Sequence, residues 1–237
     1  KELAETGLYS VNGPPGTGKT TMLRDLVASN MVKRAEVLAS LSCSEAAFGK
    51  SVTAYIQGGQ KEIKTLIPTL TGFEMVVASN NNAAVENVTQ ELPQLQALGS
   101  AHKSLEYLKP VAQKLAAKHE IKQGKLHVSS LAPKKDCWGL MATALGNSQN
   151  RKRFGKRVFF EKNDDKCVAK DGASSYLTLV PALNFLANKS HNPEQNFIVA
   201  QHAFKEARNK VQSIYDDLKR LQSLQQLKAK TEAARRQ

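Results

Sequence analysis

The chain reads as an α/β protein in two parts: an incomplete parallel sheet built around a glycine-rich loop, over residues 1–99, and a basic, mainly helical insertion over residues 100–237 that ends in a coiled-coil-like stalk. Three observations lead there. Gly13–Thr20 spells GPPGTGKT between a β-prone run and a helical one. A second apolar run, Phe73–Ser79, is again followed by a polar loop and a helical pattern. The charge is also unevenly divided. Residues 1–99 hold 8 Lys+Arg against 9 Asp+Glu, while residues 100–237 hold 26 against 12.

In chain order, Leu8-Tyr9-Ser10-Val11 is short and apolar, as the strand entering such a loop should be. GPPGTGKT fits GxxxxGK[ST]. Its glycines let successive backbone N–H groups turn inward around phosphate oxygens. Lys19 supplies a point charge for the β and γ phosphates, and the Thr20 hydroxyl is a ligand for Mg²⁺. Met22, Leu23, Leu26 and Val27 then recur at helical spacing, so a helix N-terminus backs the anion. The expected ligand is ATP with Mg²⁺. Gly13, Pro14, Pro15, Gly16, Thr17, Gly18, Lys19, Thr20 and Thr21 form the contacting set, with Lys19 and Thr20 as its catalytic members.

That helix is expected to reach about Asn30, with a second helical stretch over residues 32–41. Residues 42–52 read as a loop, Val52–Ile56 as a strand and Gly58-Gly59 as its turn. Lys61–Leu70 is ambiguous, since Ile63, Leu66 and Ile67 fit a helix but Pro68 cuts it. Phe73–Ser79 is near-continuously apolar, the mark of a parallel strand covered on both faces. Asn80-Asn81-Asn82 follows, then a helix carrying Ala84, Val85, Val88 and Leu92 up to Pro93. Ligands of parallel sheets sit at the carboxyl ends of the strands, so Gly13–Thr20 and Ser79–Asn82 should share one face.

Past residue 100, Leu105, Leu108, Val111, Ala112 and Leu115 predict a helix with Lys109, Lys114 and Lys118 outside. Asp136 is placed to cap a helix through Leu145, with Gly146 as its stop and Trp138, Leu140, Met141 and Leu145 in the core. RKRFGKRVFF, Arg151–Phe160, has two readings: an arm that holds phosphates and stacks on bases, or a helix with its aromatic side on the core. The core reading is favoured. A stalk helix over about 195–235 follows from Ala200, Phe204, Ala207, Val211, Ile214, Leu218 and Leu221, spaced alternately by four and three. Residues 100–120 could pair with it within one chain. A monomer is therefore favoured, and a dimer through the C-terminal helix is the alternative.

The composition excludes some classes. No apolar run approaches the ~20 residues of a membrane span, and no signal peptide pattern is present. Cys43, Cys137 and Cys167 are scattered, without disulfide or metal spacing. A cytoplasmic location is the default. The net charge of +13 points to a polyanionic partner, most simply single-stranded nucleic acid. A start at Lys1 a few residues before a core-type strand reads as a piece of a longer protein.

GPPGTGKT occurs in ring-forming AAA+ ATPases and in superfamily 1 helicases of the Upf-like branch, which includes RNA-surveillance and Okazaki-fragment enzymes. Ala78–Val88, ASNNNAAVENV, resembles motif Ia of that branch, close to A-P-S-N-x-A-V-D-x-[LV]. Asn81 and Asn82 fall on its S-N pair and Ala84-Val85-Glu86 on its A-V-D, while Asn80 stands where proline is usual. The resemblance covers residues 8–27 and 75–93. It implies a RecA-like P-loop NTPase core in which Ser79, Asn81 and Asn82 touch a single strand of DNA or RNA. No Walker B run is found; Ile214-Tyr215-Asp216-Asp217 is nearest and lies in the stalk pattern. The branch interposes accessory domains before its Walker B, and residues 100–237 fit such an insertion. The expectation is the ATP-binding N-terminal part of a helicase or translocase, weak or inactive alone. A nucleotide-switched coiled-coil module and an AAA+ ATPase are the rivals.

Overall fold

A computed structural model describes residues 19–56, 59–78, 89–122, 125–129, 131–161, 176–189 and 192–234. The chain divides into two compact units. One comprises Lys1–Leu26 with Met75–His191, and the other Val27–Glu74 with Asn192–Gln237. The expected strand Leu8–Val11 and the loop Gly13–Gly18 lie outside the described residues.

The second unit starts from α1, Lys19–Ser40, whose first eight residues belong to the other unit. The two helical stretches expected on either side of Asn30 form one helix, because neither Asn30 nor Met31 breaks it. A short 3-10 turn, Ser44–Ala47, leads into β1, Phe48–Ile56, which pairs antiparallel with β2, Gly59–Leu66. The ambiguous segment from Lys61 is thus a strand, and Val52 opposite Ile63 sets its register. Pro68 ends it, opening a 3-10 turn that buries Leu70. Residues 73–78 pair with no described strand, and Val76 is 95% exposed. Both sheets among the described residues are small and antiparallel.

The long helix α5, Pro193–Ala234, completes this unit. Asn192 Oδ1 accepts from Gln195 N at 3.0 Å, with Pro193 next to it, a well-formed N-terminus. Glu194, Gln201 and Arg208, seven apart on one face, bond to Ser44, to the carbonyls of Leu38 and Leu41, and to Glu36. The two helices therefore run antiparallel, and the end of α1 is the partner of the first turns of α5. Residues 100–120 belong to the other unit.

That unit packs α2, Lys109–Ala116, against α3, Ser148–Gly155, with its π-helical extension Lys156–Phe160, and against α4, Leu179–Lys189. Val111, Val158 and Ala182 form the centre, with Leu108, Leu115, Leu140 and Phe154 around them. The hairpin β3–β4, Lys118–Lys122 with Lys125–Ser129, follows α2.

The helix expected from Asp136 to Leu145 does not form. Leu95 N donates to Asp136 O, Trp138 N to Pro93 O, Tyr107 N to Trp138 O and Leu140 N to Tyr107 O, all at 2.8–2.9 Å. Residues 136–140 are thus held extended between two flanking segments, which satisfy the backbone groups a helix would have paired internally. Gly139 permits the approach: a Cβ there would lie 3.1 Å from Tyr107 O. Asp136 Oδ1 instead accepts from Gln113 Nε2 and Cys137 N. Leu145 is exposed, and Asn147, not Asp136, caps a helix, accepting from Asn150 N at 2.8 Å. No described helix is long and apolar enough to cross a membrane.

Candidate nucleotide and nucleic-acid site

Lys19 and Thr20 open α1, so the GKT end of the glycine loop runs directly into a helix N-terminus. The first N–H groups of a helix have no partner within it. Thr21 is exposed on the same first turn. Gly13, Pro14, Pro15, Gly16, Thr17 and Gly18 lie outside the described residues, as do Ser79, Asn81 and Asn82.

The described residues that flank the two sequence patterns are joined by one ion pair. Residues 89–91, at the end of the helix expected after Asn82, are helical and stop ahead of Pro93. Glu91 forms an ion pair with Arg24, one turn into α1. Both side chains are partly exposed, so the pair contributes little to stability. It brings the helix behind the glycine loop against the end of the motif Ia segment. From there Trp138 Nε1 donates to Leu92 O at 2.8 Å, tying both to the extended segment 136–140.

Acidic groups suited to Mg²⁺ are scarce. Among the described residues, no group of three or more His, Cys, Asp or Glu could hold a metal. Asp216 and Asp217 lie within α5, not at a strand end. Asp216 Oδ1 accepts from Gln212 Nε2 at 3.0 Å, and Asp217 lies 3.7 Å from Arg220. Cys137 is no nucleophile: burial, and then Asp136, pushes its thiol up to about 11, so it stays protonated at neutral pH.

The sequence did not reveal a buried polar cluster in the same unit. Lys114, expected outside its helix, is fully buried. Its Nζ donates to the Glu161 carbonyl at 3.0 Å and lies 3.8 Å from Glu161 Oε2. His119 Nδ1 is 3.0 Å from that same carboxylate oxygen, yet the two are not aligned as a hydrogen bond. His119 Nε2 lies 2.8 Å from Lys114 O, where only an N–H satisfies the carbonyl. Arg157 Nη1 donates to the carbonyls of Leu115 and Ala117, at 2.7 and 2.9 Å, completing the C-terminus of α2. Lys114, His119 and Glu161 are at least nine-tenths buried, so the cluster braces the fold and offers no path to a ligand. Its sequence signal was weak. Lys114 sits at i+3 from Val111 on the apolar side of α2, where a lysine is easily read as solvated.

Arg151–Phe160 divides the two readings made for it. Phe154 packs on the core and Val158 is buried, but Phe159 and Phe160 are 49% and 67% exposed. No family model, no curated protein and no solved structure matches this chain.

Proposed function

We propose that the chain is the ATP-binding N-terminal part of a superfamily 1 helicase or translocase acting on single-stranded nucleic acid. The observation that carries the reading is GPPGTGKT running without a break into α1, a helix whose Arg24 bonds to Glu91 at the end of the motif Ia-like segment. In this reading the loop amides and Lys19 hold the phosphates, and Thr20 holds Mg²⁺. Ser79, Asn81 and Asn82 grip the strand through its phosphate oxygens. Closure on a second RecA-like domain in the parent protein would couple hydrolysis to movement.

The chain alone should bind a fluorescent ATP analogue with Mg²⁺ and hydrolyse ATP barely at all. Lys19→Ala should weaken that binding by about tenfold or more, the worth of one charge-assisted hydrogen bond to a phosphate. ATPase of the full-length parent should rise on adding single-stranded nucleic acid at low salt. Equal analogue binding by wild type and Lys19→Ala, or no stimulation of the parent, defeats the reading.

The length of α5 and its exposed Ile214, Leu218 and Leu221 favour a second reading, a nucleotide-switched coiled-coil module. Its mark is partner binding that depends on Lys19 but survives Asn82→Ala.

A further inference from the structure

We propose that Phe159 and Phe160, with Lys152, Arg153 and Lys156, form a stacking site for single-stranded nucleic acid, separate from the glycine loop and the motif Ia segment. The site shares its class of ligand with the function proposed above, but none of its residues.

Helix geometry sorts this segment into two faces. Phe154, Val158 and Glu161 follow one another at helical spacing and face inward: Phe154 packs on the core, and the other two are buried. Lys152, Arg153, Lys156, Phe159 and Phe160 are exposed, so these cations and rings lie together on the solvent side of one short segment. Glu161 N donates to Lys156 O at 2.7 Å, closing a π turn at the rings, a feature often found at functional sites.

The rings are held in place. Phe159 meets Phe154 edge-on, with centroids 5.9 Å apart at 82°, and Phe154 is anchored in the core. Phe160 lies 6.1 Å from Phe159 at 53°. A core would have covered two adjacent phenylalanines, but here they present rigid π faces to solvent.

The neighbouring charge selects the occupant. Lys152 and Arg153 have no ion-pair partner among the described residues, and Lys156 is largely exposed although it lies 3.7 Å from Glu161 Oε1. Arg151 and Arg157, the other two cations of the segment, donate to backbone carbonyls. Aromatic faces beside solvated cations suit unstacked bases and their phosphates, and any base offers a π face.

The test is anisotropy of a fluorescein-labelled oligothymidylate of about 20 nucleotides, bound by the nucleotide-free chain between about 50 and 200 mM salt. Phe159→Leu/Phe160→Leu should weaken binding about 10- to 100-fold with an unchanged salt slope, since stacking is removed while the phosphate-binding cations remain. Phe159→Trp/Phe160→Trp should bind as wild type or better. Lys152→Gln/Lys156→Gln should make the slope shallower. Thermal melts should show every variant folded, with a small loss in the leucine variant from its missing Phe159–Phe154 edge contact.

Full affinity in the leucine variant is the result expected of an apolar protein-docking patch, and it overturns the proposal. So does a wild-type chain that binds no oligonucleotide at low salt. If Asn82→Ala loses the oligonucleotide and the leucine variant keeps it, this inference fails and the helicase reading stands. If the leucine variant loses it while the chain binds no nucleotide, the stacking site stands and the helicase reading fails.

Discussion

Lys114 is completely buried, and at residue scale it is the most demanding group in the described chain. A buried ammonium is tolerated only when its partners are in place, and here they include the carbonyl and carboxylate of Glu161. Lys114→Met should therefore cost about 3–5 kcal/mol, because it removes the buried cation beside Glu161 Oε2 and leaves only the largely exposed Lys156 near the other oxygen. Lys114→Met with Glu161→Gln should recover most of that loss, since the new amide can donate to His119 Nδ1. A double-mutant cycle by urea denaturation checks this, and strict additivity would count against coupling.

His119 adds a pH dependence. Burial is the largest cause and holds its imidazole below the ordinary 6.5, with Arg157 and Lys114 acting in the same direction; its bond to Lys114 O and the Glu161 carboxylate pull the other way. The folded state thus binds fewer protons than the unfolded state just below pH 6.5. Stability present above that pH is lost as pH falls toward the lower folded-state value, by at most about 1.4 kcal/mol per pH unit from this group. His119→Gln should flatten that segment of the stability profile, and an unchanged slope would remove His119 as its source.

At the scale of elements, α5 extends well beyond its support. It spans 42 residues, roughly 60 Å of helix at 1.5 Å per residue, and Arg208 makes the last of the bonds described above that join it to α1. Beyond that point Val211, Ile214, Leu218 and Leu221 remain more than half exposed. Leu218→Gln should change stability by no more than about 0.5 kcal/mol, whereas Gly139→Ala should cost about 1–3 kcal/mol by forcing Tyr107 away. Thermal melts decide between them. A large loss from Leu218→Gln, accompanied by a fall in mass by light scattering, would mean that the seam is covered by a second chain.

The same elements show what local sequence can carry. The spacing of Ala200 to Leu221 announced α5 because helical periodicity is local and repeats over several turns. Pro68 marked the end of β2 for an equally local reason, its missing N–H. Residues 136–140 misled because Asp136 is a good cap, while the groups that hold the segment extended come from Pro93, Leu95 and Tyr107, all more than thirty residues away. Lys61–Leu66 could not be resolved from its own pattern because the partner strand selects its state. Lys114 and Glu161 escaped notice for a similar reason: 47 residues separate them in the chain. The glycine loop is the opposite case, since the pattern behind the proposed phosphate site spans eight consecutive residues.

For the whole molecule, one helix is shared by two units. Residues up to Leu26 of α1 belong with Met75–His191, and those from Val27 belong with the β1–β2 hairpin and α5. Lys19 and Thr20 are in the first turn of that helix, and the carbonyl of Leu38, near its end, accepts from Gln201 of α5. A ligand that binds only the folded state stabilises the structure it contacts, by about 2.7 kcal/mol at a hundredfold excess over its dissociation constant. Stability is not uniform within a chain, so the gain should follow the cooperative unit that holds the site. Hydrogen exchange with saturating ATP and Mg²⁺ should therefore slow in the first turns of α1 and at residues 89–91, which Arg24 and Glu91 join. Exchange along α5 beyond Arg208 should be unaltered, because nothing described there leads back to the site. Lys19→Ala should abolish the protection without changing exchange in the ligand-free chain. If instead α5 were protected as strongly as α1, the two units would unfold as one, and nucleotide would reach the stalk directly. That outcome would favour the nucleotide-switched module over a strand-tracking motor, because control of a coiled coil by ATP requires coupling between nucleotide and stalk.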